Sequence, residues 1–167
     1  MARYKMRQHL LSLGEDFTIE DERGEPVYTV DGKLLRIRET FVIEDRQGHE
    51  VATIREKKLA LRDSMKVLRG GDTLATIRKA WISPFRDKFN VEVEGGEDLV
   101  VQGNILDHEY EIRRGSDAVA HISKRWFSIR DTYGIDVAPG EDDGLILALA
   151  VAVDEMAHDP DEGHGSD

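Results

Sequence analysis

The stretch DGLILALAVAVDEM, Asp143 to Met156, decides the fold. From Leu145 to Val153 no residue carries a polar side chain. Read as a helix, the segment is apolar on every side and belongs in an interior. At about 1.5 Å per residue such a run covers roughly 14 Å, well short of the ~30 Å core of a bilayer, so the interior is that of a protein. The alternation of large and small side chains from Leu147 to Val153 also suits a strand buried on both faces. Helix is preferred: Leu and Ala favour it, Asp142 or Asp143 is placed to cap it, and Pro160 follows as a stop.

Working outward, the rest of the chain repeats. Phe17 to Asp21 alternates apolar and polar, a turn follows at Gly24, and Pro26 to Val30 alternates again. This is strand, turn, strand. The pattern returns at Phe41 to Ile54 with Gly48, at Met65 to Ile77 with Gly70-Gly71, and at Phe89 to Val101 with Gly95-Gly96. It comes once more at Tyr110 to Ile122 with Gly115, and Tyr133 to Val137 opens a last unit that runs into the apolar segment. Linking stretches are expected at Lys33 to Glu39, Lys57 to Asp63, Trp81 to Asp87 and Ile122 to Asp131. Eleven or twelve antiparallel strands curl or split as an open sheet, and closure into a barrel removes the edges. Strand alternation places Val30, Ile54, Ile77 and Ile122 inward with Tyr28, Ala52, Ala75 and Ala120. Thr29, Thr53, Thr76 and His121 then face outward. A barrel of about twelve strands is wider than side chains alone can fill. The apolar segment supplies the filler.

Composition narrows the class. The chain has 167 residues, a net charge of −11 and no cysteine, which excludes disulfides and thiolate metal sites and fits a reducing cytoplasm. Its acidity disfavours non-specific attraction to nucleic acid or anionic lipid at the level of the whole molecule, and leaves room for a local basic patch. The basic residues are mostly Arg, which suits either a salt-adapted host or an ordinary acidic protein. The N-terminal Arg3, Lys5 and Arg7 precede too short an apolar run for a signal peptide, and no segment reaches transmembrane length.

Four stretches carry a family resemblance: MARYKMRQHLLSLGEDFTIED from Met1, the repeat ending Glu50-Val51-Ala52-Thr53-Ile54, KRWFSIRDTYGI from Lys124 to Ile135, and DDGLILALAVAVDEM from Asp142. With them the chain resembles the LURP-one-related family, from residue 2 to about 158. That family is similar in fold to the Tubby C-terminal domain and to phospholipid scramblases. The resemblance implies a mainly β protein, a closed antiparallel barrel of about twelve strands around a central hydrophobic C-terminal helix. It thus selects helix for the apolar segment. Residues 1–158 form one domain on this reading, with the helix at about 143–157, and 159–167 an acidic, flexible tail. No defined reaction comes with the resemblance. Plant members are linked to pathogen response, and Tubby relatives bind phosphoinositide headgroups through surface Lys and Arg. This acidic chain matches no phosphoinositide motif residue by residue, nor the calcium-linked segments of scramblases.

Catalytic chemistry finds little purchase. There is no G-x-S-x-G, no P-loop and no G-x-G-x-x-G. The glycine pairs fall at turns. The histidines lack zinc spacing, and His158, Asp159, Asp161 and His164 belong to the acidic tail. Glu92 and Glu94, or Glu97 and Asp98, surround one hairpin turn and read as solubilising charge. No catalytic residue, metal or cofactor is expected, and His108-Glu109-Tyr110 reads as packing and turn. One recurrence stands out. Arg78-Lys79-Ala80-Trp81, Lys124-Arg125-Trp126 and the segment with Lys57 and Lys58 are equivalent in three repeats. Lys57, Lys58, Lys79, Lys124 and Arg125 could set cations on one rim for an anionic headgroup. Ordinary rim lysines, with Trp capping a barrel end, are the favoured alternative. The leading expectation is a cytoplasmic, non-enzymatic binding or scaffold module with an unknown protein partner. A lipid-binding variant would sit peripherally on the membrane. A lipocalin-like carrier is disfavoured by the filled lumen.

Overall fold

The computed structural model describes residues 2–7, 17–31, 40–59, 62–80, 87–105, 107–126 and 132–157. Twelve strands and one helix are found among them. The strands are β1 (Ala2–Arg7), β2 (Phe17–Glu20), β3 (Pro26–Asp31), β4 (Thr40–Asp45), β5 (Glu50–Leu59) and β6 (Arg62–Arg69). They continue with β7 (Asp72–Ala80), β8 (Asp87–Val93), β9 (Leu99–Asn104), β10 (Glu109–Arg114), β11 (Asp117–Ser123) and β12 (Thr132–Val137), and α1 (Asp143–Ala157) follows. Each strand lies antiparallel beside its sequence neighbours, and β1 joins β12 to β2, closing the barrel.

The repeat has a physical basis in its turns. Asp21 Oδ1 accepts from the Arg23 and Glu25 amides at 2.9 and 3.0 Å. Asp45 Oδ1, one repeat later, accepts from the Gln47 and His49 amides, both at 2.9 Å. Gly24 and Gly48 complete these turns at φ of 80° and 79°, where a side chain is strained. The ladders slip by one residue just before the turn, between Ile19 and Glu20, Ile43 and Glu44, and Val67 and Leu68. These bulges recur at the same place in three successive hairpins and sharpen the twist that closure needs.

The inward set is as the alternation predicts, with Val30, Ile54, Ile77, Ile122, Ala52, Ala75 and Ala120 buried and Tyr28 half-buried. Thr29 and His121 are exposed and Thr53 half-buried, but Thr76 is 8% exposed. Thr76 stands between Lys66 and Glu92 in the cross-strand register, whose long stems can cover a small outward side chain. Two further expectations are corrected. Lys57 to Lys58 is not a link but the continuation of β5, paired to Ser64 and Asp63 of β6. Its run of charges masked the strand period. Trp126 does not cap a barrel end; its ring lies 5.8 Å from that of outward-facing His121 and 4.5 Å from the Arg3 guanidinium, over the outer wall. Trp81 and the tail from residue 158 lie outside the described residues.

The helix runs through the lumen. Ile146 to Val153 are each at most 1% exposed, against two or three inward residues from nearly every strand. It enters at the rim formed by the tight turns, beside Arg69, and ends at the opposite rim, beside the β9–β10 turn. No helix among the described residues is long and apolar enough to cross a membrane.

Candidate functional site

Polar anchors hold both ends of this apolar rod. At the turn rim Asp142 caps it: its carbonyl accepts from the Ile146 amide at 3.0 Å, and Oδ1 accepts from the Leu145 amide at 3.1 Å. The same carboxylate takes a two-pronged bond from Arg69 at 2.9 and 3.0 Å, while Arg69 Nε donates to the Val51 carbonyl at 2.8 Å. The Arg69 guanidinium holds the Asp142 carboxyl below its usual value. Glu141, gripped by Arg114 through two 2.8 Å bonds, is likewise lowered. The loop into the helix is therefore clamped to the ends of β6 and β10. Tyr4 donates to Asp143, and its ring meets that of Tyr28 at 5.9 Å. Beside these tyrosines an open pocket of about 400 Å³ is lined by residues including Arg3, Glu22, Arg23 and Val27.

The other end is held differently. His108, in the turn between β9 and β10, sits at φ of 52° and is fully buried. Its Nε2 lies 2.6 Å from Asp154 Oδ1 on the last turns of α1, and Asp154 is 3% exposed. A carboxyl there faces the negative end of the helix dipole, and the bond to the imidazole gives the buried group a polar partner. The His108 ring stacks on Tyr133 at 4.2 Å. Tyr110 and Tyr133, both inward, have their hydroxyls pushed well above the ordinary value by burial, and the Asp154 charge adds to the effect. Neither hydroxyl makes a hydrogen bond among the described residues.

This nest is the cluster that sequence reading passed over. His108 and Tyr110 are packing and turn residues, as expected. Their link to Asp154 was hidden by a separation of 46 residues. The visible hint was one acid, Asp154, following an otherwise unbroken apolar run. The pair could hold a proton, but it is closed to solvent. No group of three or more His, Cys, Asp or Glu that could hold a metal occurs among the described residues.

The five rim cations come together only in part. Lys57, Lys58 and Lys79 approach the same rim on β5 and β7, two strand spacings or about 10 Å apart along the wall. For Lys57 and Lys58 the backbone alone is described. Lys79 shares a strand face with Ala75 and Ile77, is half-buried and is already engaged by a neighbour. Lys124 and Arg125 follow β11, four spacings or about 19 Å further round. There Glu109 Oε1 accepts from Ser123 Oγ at 2.8 Å and from the Lys124 amide at 3.1 Å, with the exposed Arg125 Nε 3.9 Å away.

Charge is divided unevenly along the barrel axis. The turn segments with their flanking strand ends, 20–26, 45–50, 69–72, 93–99, 114–117 and 137–143, hold fourteen of the 34 acidic residues and four of the 23 basic ones. The rest of the chain up to Ala157 holds sixteen acidic and nineteen basic residues. The turn rim thus carries most of the net charge.

Comparison with known proteins agrees with this architecture. The chain is similar to the uncharacterized protein YxjI of Bacillus subtilis (strain 168), 23% identical over 157 residues and covering 94% of each chain. It is also similar in fold to a protein of Arabidopsis thaliana known from an X-ray structure. There the TM-score is 0.69 at 20% identity, over 93% of this chain and 91% of that one. The family model described as LURP-one-related matches residues 2–154, so the chain belongs to the LURP-one-related family.

Proposed function

We propose that the chain is a non-catalytic binding module, a filled barrel that offers its outer wall and rims to a partner. The observation that carries this reading is the occupied lumen: Leu147 to Val153 are each 0% exposed. A barrel filled by its own helix leaves little space for a carried ligand. The acid–base pair best suited to chemistry, His108 and Asp154, has side chains 0% and 4% exposed. A cytoplasmic location goes with this reading. The test joins a broad substrate screen to site-directed crosslinking from the two rims in cell extract. Saturable capture of one partner, abolished by charge reversal at the capturing rim and accompanied by no turnover, is the expected result. Turnover that disappears in a folded Asp154→Asn variant overturns the reading.

A second reading, peripheral association with anionic lipid, is favoured by the uneven charge. A barrel whose negative charge gathers at the turn rim would orient its other rim, with Lys57, Lys58, Lys79, Lys124 and Arg125, toward an anionic surface. Flotation with anionic and neutral vesicles across a salt series tests it. Binding to anionic vesicles alone, weakening with salt, is expected. Equal behaviour of the two vesicle types ends this reading.

A further inference from the structure

We infer that the nest beneath the last turns of α1 is a hydrated site, in which an internal water bridges the hydroxyls of Tyr110 and Tyr133 to the Asp154 carboxylate. The argument starts from the repeat. The first inward position after each link is Phe41 in β4, Met65 in β6, Phe89 in β8, Tyr110 in β10 and Tyr133 in β12. Phe41 and Phe89 fill it at 1% and 0% exposure, so an aromatic ring suffices for packing and a hydroxyl is not needed. Tyrosine appears only in the two strands that adjoin the buried His108–Asp154 pair. The added oxygens are therefore polar in purpose.

Their partner is not another side chain. Both hydroxyls are buried and make no hydrogen bond among the described residues. Leaving a buried hydroxyl unmatched is unfavourable, and Phe at the same place would avoid that cost. The His108 ring stacks on Tyr133 at 4.2 Å while its Nε2 meets Asp154 at 2.6 Å, and Tyr110 follows His108 by two residues on β10, which puts both tyrosines at this end of the helix. An internal water commonly makes about three hydrogen bonds to buried groups that lack other partners. Two hydroxyls and a carboxylate meet that requirement. The site takes water, or a solute as small with donors and acceptors. It would link the His108–Asp154 contact to the barrel wall on both sides of β11.

The test uses the full chain with Tyr110→Phe, Tyr133→Phe and the double change, which keep the rings and so should fold. Magnetic relaxation dispersion of water is expected to show a long-lived internal molecule in the unaltered chain that is lost in the double variant. Each single change is expected to lower Tm by about 3–6 °C. Phe41→Tyr serves as the control, and it should lower Tm without adding a long-lived water. Three results would overturn the inference: no long-lived water in the unaltered chain, a water signal that survives the double change, or Phe variants that melt at or above the original temperature.

Discussion

His108 Nε2 and Asp154 Oδ1 lie 2.6 Å apart and join the β9–β10 turn to the end of the central helix. This contact costs a buried carboxyl, an acid at the wrong end of a helix and a left-handed non-glycine residue. An apolar rod has little intrinsic preference for its depth or rotation in an apolar sleeve. Asp142 with Arg69 at one end and Asp154 with His108 at the other supply that preference, twelve residues or about 18 Å apart.

Removing one partner strands the other. Asp154→Ala is expected to cost about 1–3 kcal/mol, because a buried imidazole nitrogen loses the carboxyl it bonds. His108→Asn, which tolerates the left-handed backbone, is expected to cost a similar amount. The double variant should lose clearly less than both together, with a coupling of about 1–3 kcal/mol in a denaturant-based cycle. Strict additivity would show that the two residues do not act on each other.

The core is argued from Leu149, midway along the helix and 0% exposed. Leu149→Asp is expected to prevent folding, since a bare carboxylate would be set against apolar walls. Leu149→Met, which keeps the volume, should cost less than about 1.5 kcal/mol. A soluble Leu149→Asp chain that melts cooperatively would show that the rod is not where it is drawn.

Much of this architecture was readable before any coordinates. Asp21 and Asp45 each close a turn with the Gly three residues on, and the spacing of such units announced a long antiparallel meander. The unbroken Leu145 to Val153 run announced its filler. The strand that completes the barrel was not recognised, because Arg3, Tyr4, Lys5, Met6 and Arg7 hold only two inward residues, and their charges drew attention to the N-terminus as a basic segment. The rim cations were readable as residues but not as a site. Whether Lys79 and Lys124 converge depends on how many strands lie between them, and on neighbours such as Glu109 that the repeat does not reveal.

Gly144 is argued from space. A Cβ there would collide with the Val51 Cγ1 methyl and come within 3.2 Å of Arg69 Nη2. Gly144→Ala is expected to destabilise by about 1–3 kcal/mol despite the better helix propensity of Ala. In a Val51→Ala background the same change should be neutral or gain a few tenths of a kcal/mol. An equal cost in both backgrounds would place the strain elsewhere than at the β5 wall.

The helix cap should contribute a small part of the acid sensitivity. Arg69 holds the Asp142 carboxyl below its ordinary 3.8, so the folded state is favoured above that value and loses this contribution as pH falls through the lower folded value. The pair is 39% and 43% exposed, and solvent screening keeps its contribution small. The melting temperature is expected to drop between about pH 4 and pH 2, and Arg69→Met should flatten part of that drop. A pH profile that this variant leaves unchanged would assign the acid sensitivity to other carboxylates.

Alkaline behaviour follows from the four tyrosines, all raised above the ordinary 10.0. Burial is the largest cause for each, and the bond to Asp143 adds to it at Tyr4. A raised folded value means that stability is fully held below about pH 10 and is lost as pH climbs past it, because the unfolded chain ionises first. The native protein is therefore expected to show almost no tyrosinate absorbance at about pH 10, where the urea-unfolded chain is half ionised. At higher pH the absorbance should appear together with the loss of helix and strand dichroism. Tyr110 and Tyr133 cannot ionise beside Asp154 without opening the end of the barrel. Ionisation of all four tyrosines around pH 10 with the dichroism intact would mean that solvent already reaches the helix end, and the closed nest around His108 would have to be abandoned.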